Sequence, residues 1–209
     1  MTTSLAALPR GALVEAEAFV DVDVARCAGV EVYKCRFERC RFVEAVLDKV
    51  VFEDVEFVDC DLTRVRFGHS SLRGVRFVRC KLLGVDFSRA ADHPDVAFDG
   101  CSLSYAVFDG VALKGVRFLE CQLGEASFVG SDLRDADFAR SDLTRAVLRD
   151  AKLGGADFST STALLLDPAR NDSNDALISV ETAIHLAQAA GLRVAGHDDE
   201  RRGKRPKRR

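Results

Sequence analysis

A large apolar residue, Phe or Leu, recurs at every fifth position along most of this chain. One run goes from Phe37 through Phe42, Leu47, Phe52 and Phe57 to Phe87 without a miss, and a second from Phe98 to Phe158. Two positions before each marker stands a small or slim residue. Cys35, Cys40, Ala45, Val50 and Val55 open the first series, and Ala146, Ala151 and Ala156 close the second. A period of five matches neither the 3.6-residue helix nor the two-residue strand. It requires a chain that turns a corner every five residues, with the marker and the small residue pointing inward and the other three facing solvent. Four such sides close a square coil of about 20 residues, and stacked coils pair as parallel strands about 4.8 Å apart. The predicted fold is an all-β solenoid: a right-handed quadrilateral parallel β-helix with a C-terminal capping α-helix.

The columns test the four sides. Phe37, Phe57, Phe77, Phe98, Phe118, Phe138 and Phe158 form one column in which every member is Phe. The column Phe52, Leu72, Leu113, Leu133, Leu153 has a gap, which coincides with Ser88 to Asp95. That stretch replaces one side and adds one residue, and Ala90-Ala91-Asp92-His93-Pro94 reads as a small loop at one corner. Weaker repeats extend back through Val32, Cys27 and Val22. The expected organisation is a lead-in over 1–19, the solenoid over 20–162 with its bulge at 88–95, a cap and helix over 163–196, and a basic tail over 197–209. Six to seven coils give a rod of roughly 30 Å, and such a solenoid needs capped ends.

After the last repeat, Ala163 to Leu166 is apolar, Asp167-Pro168 makes a turn, and Asn171 to Asp175 reads as a loop. A helix follows. Ser179 is placed to cap it, Glu181 stands in its first turn, and Gly191 ends it. Val180, Ala183, Ile184 and Ala187 share one face. This segment lids the last coil, and it offers a two-fold contact to a second copy. Leu164, Leu166, Val180, Ile184, Ala187, Leu192 and Val194 are the expected cap and homodimer residues.

Charge bears on function. The chain has 30 basic and 33 acidic residues, a net charge of −3. The tail from His197 holds seven Lys/Arg against three Asp/Glu, so positions 1–196 carry −7. An acidic body argues against direct nucleic-acid binding except through the tail. Asp48, Glu53, Asp54, Glu56, Asp59 and Asp61 form an acidic band, and Arg64 to Lys81 a basic one. No apolar run reaches the ~18 residues of a membrane helix and no secretory signal opens the chain, so the cytoplasm is the expected compartment.

No chemistry stands out. Cys40, Cys60, Cys80, Cys101 and Cys121 share one side, but Val, Ala and Ser fill the same slot elsewhere, so a small packing residue explains them. His69, His93, His185 and His197 are scattered, without metal-ligand spacing. No nucleophile elbow or phosphate loop occurs. Neither an enzyme nor a cofactor is expected. Arg89, Asp92, His93, Pro94 and Asp95 in the bulge are the candidate partner-binding residues.

The motif in Ala136-Asp137-Phe138-Ala139-Arg140 and Ala156-Asp157-Phe158-Ser159-Thr160 resembles that of the pentapeptide-repeat family, over roughly residues 20–162. A narrower likeness combines the single bulge, the apolar turn, and the segment from Ile178 through Val194. It resembles the topoisomerase-protecting group, which includes the Qnr, MfpA, albicidin-resistance and microcin-immunity proteins. Cys80-Lys81-Leu82-Leu83-Gly84-Val85-Asp86-Phe87 is also similar to the stretch before the bulge of the albicidin-resistance protein. The resemblance implies a dimer joined at its C-terminal ends. It implies a rod resembling DNA that relieves poisoning of DNA gyrase or topoisomerase IV by antibiotics, in some cases as self-immunity. The alternative is a β-helical scaffold or interaction module unrelated to topoisomerases.

Overall fold

The computed structural model describes residues 9–90 and 94–197. It is a right-handed quadrilateral β-helix of about eight turns with one C-terminal helix. Along the shaft the markers and the residues two before them are buried, and the other three positions of each side are half-buried or exposed, with Val58 as a buried exception among the described residues.

The corner makes the square. The residue two positions after most markers takes a left-handed backbone, as at Arg39 (φ 52°), Glu44 (φ 55°), Lys49 (φ 54°) and Asp54 (φ 54°) on four successive corners; Arg89 and Thr160 do not. An L-residue in this region loses roughly 1–2 kcal/mol, so the corners are affordable only because each turn buries two more side chains. Where a carboxylate overlies the corner, glycine is needed for a second reason. A Cβ on Gly155 (φ 71°) would lie 2.7 Å from Asp135 Oδ1, and one on Gly74 (φ 62°) 2.6 Å from Asp54 Oδ1.

One side is a six-stranded parallel sheet of Ala18–Val20, Arg36–Glu38, Glu56–Val58, Val75–Val78, Val96–Asp99 and Arg117–Leu119. Its inward column is the Phe stack, with neighbouring rings parallel, as for Phe98 and Phe118 at 5.1 Å and 2°. Phe rings of the third side meet it edge-on, as Phe108 does Phe118 at 76°. Residues pair 20 apart, as Phe37 with Phe57, and 21 apart across the bulge, as Phe77 with Phe98.

Both ends depart from the sequence reading. The strand ladder begins at Leu13, ahead of the boundary placed at 20, and its first coil is short: Phe19 pairs with Phe37 and Asp23 with Arg41. The missing two residues put Val24, rather than Val22, in the inward column, and Val22 is only half-buried. At the other end the ladder continues past 162, with Lys152 bridged to Asp172 and Phe158 paired with Ile178. The segment 171–175, expected as a loop, is a further side of the solenoid. Asn171 stands in a small-residue slot, accepting from Ala151 N (3.1 Å) and donating from Nδ2 to Leu148 O (3.1 Å).

That contact explains the cysteine side. The thiols are buried and free. Each of Cys60, Cys80 and Cys101 points at a carbonyl of the preceding coil: Phe37 O (3.4 Å), Phe57 O (3.3 Å) and Phe77 O (3.2 Å). Serine does the same with shorter bonds. Ser141 Oγ donates to Phe118 O (2.7 Å) and accepts from Cys121 N (2.9 Å). The slot therefore selects a small residue that can also satisfy the backbone between coils. Burial pushes the Cys27 and Cys35 thiols above their usual range. Ser141→Ala is expected to cost about 1–3 kcal/mol by leaving the Cys121 N–H unpaired inside the wall. A denaturant titration checks it, and an unchanged midpoint would show that this bond is dispensable.

Candidate partner-binding surfaces

The break in the repeat is built by a short 3-10 turn, Phe87–Arg89. Asp86 caps it, accepting from Ser88 N (3.0 Å) and from Arg89 Nε (3.1 Å). The chain is back in the ladder at Asp95, whose N–H donates to Leu72 O (2.9 Å) and whose carbonyl accepts from Val75 N (3.0 Å). Of the five bulge candidates, Arg89 and Asp95 are exposed and Pro94 is buried, so Pro94 anchors the segment instead of offering a contact. Asp92 and His93 lie outside the described residues. The register across the break is 21 residues instead of 20, one residue more than a regular coil spends.

The acidic band does not converge. Asp48 lies on the third side, Glu53 on the fourth, Asp54 at the corner after it, Glu56 on the Phe-stack side, Asp59 at the next corner and Asp61 beyond. Winding distributes consecutive residues around the rod, and the 20-residue register sets each against a residue of the next coil. Glu56 pairs with Arg36 on one neighbouring coil. Asp59 accepts from Arg79 Nε (2.7 Å) and Nη2 (2.8 Å), which holds its carboxyl below the usual carboxylate range. Asp61 lies in backbone register between Arg41 and Lys81. The same rule gives Glu120–Arg140 and Glu125–Arg145 farther along. Several register columns therefore alternate acid and base over two or three coils.

The C-terminal end is different. The helix Val180–Ala189 is capped by Ser179 Oγ, which accepts from Thr182 N (3.1 Å), and it ends at Gly191 (φ 77°). Its buried residue is Thr182, roughly 200° around from Val180. The apolar stripe expected to lid the coil thus turns outward: Val180 and Ala183 are exposed, and Ile184 and Ala187 half-buried. Leu164 is buried and Leu166 packs against the core, so these two are the true cap. Val194 is half-buried. Leu192 (63% exposed) joins Val180 (78%), together with Leu165 (64%) and Leu177 (55%), which sequence reasoning missed. Alternation within Leu164-Leu165-Leu166 was the available signal.

Among the described residues, no group of three His, Cys, Asp or Glu side chains could hold a metal ion. No helix there is long and apolar enough to cross a membrane.

Residues 30–108 match the family model described as pentapeptide repeat region, and residues 121–159 the model described as pentapeptide repeats (8 copies). No curated protein matches the chain. Among solved structures, full-length QnrB1, described as a plasmid-mediated fluoroquinolone resistance protein, is similar at 21% identity over 86% of this chain and 100% of that one, with a TM-score of 0.48. A trypsin-treated form gives 23% identity, 89% and 100% coverage, and a TM-score of 0.49. HetL, a pentapeptide repeat protein involved in heterocyst differentiation regulation from the cyanobacterium Nostoc sp. Strain PCC 7120, gives 18% identity, 80% and 87% coverage, and a TM-score of 0.46. These are likenesses of chain path, and they carry no function across.

Proposed function

The chain belongs to the pentapeptide-repeat family, and from that premise we propose that it is a non-catalytic protein that protects a type II DNA topoisomerase, DNA gyrase, from an antibiotic poison. The observation that carries this reading is a solenoid whose shaft, among the described residues beyond the first coil, leaves its 20-residue register after Phe87–Arg89 and resumes it at Asp95, with apolar side chains exposed in the cap. Walls about 10 Å apart, with side chains standing outward on both, give a width of roughly 20 Å, close to that of duplex DNA. A basic DNA-binding saddle accepts an object of that width.

Charge is the weaker half of the resemblance to DNA. Phosphates carry an unbroken negative charge, whereas several of these carboxylates are paired with arginines of the neighbouring coil. The rod therefore supplies shape, and the break supplies the specific contact. Arg89 and Asp95, exposed on either side of it, are the residues assigned to that contact. The apolar end supports a C-terminal homodimer, which doubles the length of the rod.

The test is gyrase supercoiling in a titration of this protein, with and without a gyrase poison. Deleting the bulge outright would take a side from the coil, so the informative variant replaces 90–95 with the five residues of the side beneath, Ser70 to Gly74. Wild-type protein is expected to restore supercoiling in the presence of the poison. The regularised variant should keep its unfolding midpoint and need at least about tenfold more protein for the same rescue, a loss of roughly 1.4 kcal/mol of binding. Rescue undiminished in the variant would remove the break from recognition. No effect of the folded wild-type protein would overturn the topoisomerase reading and leave an interaction scaffold.

A further inference from the structure

One interruption of the charge ladders leaves two arginines facing each other across it. On the outer face of the six-stranded sheet, one column reads Arg36, Glu56, Arg76, Ala97, Arg117, Asp137 and Asp157, each in register with the next. The sign alternates from Arg36 through Glu56 to Arg76, and then Ala97 stands between two arginines, Arg76 and Arg117.

The neighbouring carboxylates do not make up for it. Glu56 is engaged by Arg36, on the side away from Arg76. Asp137 Oδ1 accepts from Ala139 N (2.9 Å) in its own turn. Among the described residues, neither Arg76 nor Arg117 makes an ion pair. The short side chain at 97, with Gly74 at the adjacent corner, leaves a depression of about 570 Å³ that Arg76 and Arg117 border. A second, of about 280 Å³, adjoins it and shares Glu56, Arg76, Ala97 and Arg117.

Along the strand the signs reverse. Ala97 and Asp99 project outward from the strand Val96–Asp99, Asp95 stands at the corner that leads into it, and both aspartates are exposed. Ala97 thus has a guanidinium one coil away on each side, and a carboxylate two residues away in each direction along the chain. The respective spacings are about 4.8 Å per coil and about 6.6 Å per two residues. A polyanion laid here would meet both aspartates, so a nucleic-acid backbone is disfavoured. An extended peptide laid along the strand 96–99 presents its own alternate residues at the same 6.6 Å interval.

We propose that this face is a docking surface for an extended segment of a partner protein with the pattern basic, any, acidic, any, basic. Its central carboxylate would be clamped between Arg76 and Arg117 over Ala97, and its outer cations seated on Asp95 and Asp99. The surface stands on charge complementarity and spacing, and does not depend on the partner being a topoisomerase.

The test is an amide NMR titration of the full chain with end-blocked Lys-Thr-Glu-Thr-Lys, its charge reverse Glu-Thr-Lys-Thr-Glu, and inorganic phosphate. Only the first peptide should move the amides around Ala97. The double variant Arg76→Gln with Arg117→Gln should weaken it at least about tenfold. Both arginines are solvent-facing and unpaired, so the fold should survive. Ala97→Glu, which completes the ladder from within, should abolish binding while leaving the arginines in place. Three results would overturn the proposal: equal response to both peptides, response unaltered by the double variant, or no response at millimolar peptide. Tighter binding of phosphate at the same amides would also overturn it, by making the site a simple oxyanion clamp.

Discussion

Phe118→Ala is expected to cost about 3–5 kcal/mol, enough to consume much of the stability of a domain this size. The ring is fully buried and stacks parallel to Phe98 and Phe138, 5.1 Å from each. It also takes Phe108 and Phe128 edge-on at 5.5 and 5.8 Å. Removing it leaves a cavity that the wall cannot close, because the coil geometry is fixed by corners above and below. The lost ring contacts add to the transfer term, at roughly 0.5–1.5 kcal/mol per pair. Phe19→Ala should be milder, since Phe19 stacks on Phe37 alone and sits in the first coil, where a rung can fray without breaking the rod. Denaturant unfolding of the two variants measures the difference. A loss below about 1 kcal/mol at Phe118 would mean that the Phe column is not what holds the coils in register.

The shaft was legible from residues because its two constraints coincide. Every inward position is both apolar and periodic, so Phe37 through Phe87 announces the side length and the all-Phe column announces the number of sides. The ends were not, because there one constraint acts without the other. At Val22 and Val24 both candidates are apolar, and only the two-residue shortening of the coil decides between them. At Asn171 the residue is polar, and it occupies its slot by bonding the backbone of the preceding coil, which no hydrophobic pattern reports.

The surface was legible only in part, for a related reason. Asp48 to Asp61 is a cluster in the chain but a ring in space, since five residues carry the chain around a corner. Proximity on the surface is proximity at intervals of 20, and read at that interval Asp59 meets Arg79 and Glu120 meets Arg140. The gap at Ala97 becomes visible in the same way, as a missing sign in a column. Asp92 and His93 were named from the sequence and lie outside the described residues, so the contact surface of the break rests on Arg89 and Asp95.

The apolar side chains exposed in the C-terminal cap are expected to pair two copies of the chain. Val180, Leu192, Leu165 and Leu177 are all more than half exposed within the last coil and its cap, whereas the large apolar side chains exposed along the shaft, such as Leu83, Tyr105 and Val147, fall on separate coils. Large apolar side chains gathered at one place on a surface mark an interface, and a two-fold contact uses the same patch from both copies. The folded wild-type protein should therefore have twice the 22.8 kDa mass of one chain in light scattering at micromolar concentration. Val180→Glu combined with Leu192→Glu should yield the monomer. Each substitution enters the interface twice, and burying an unpaired carboxylate costs several kcal/mol, so association should weaken by at least about a thousandfold. Both sites are exposed in the single chain, so the variant should keep the unfolding transition of the solenoid itself. A wild-type protein that is monomeric throughout this range would remove the dimer, and would leave the stripe to a different partner. A variant that remains dimeric would place the two-fold contact elsewhere on the rod.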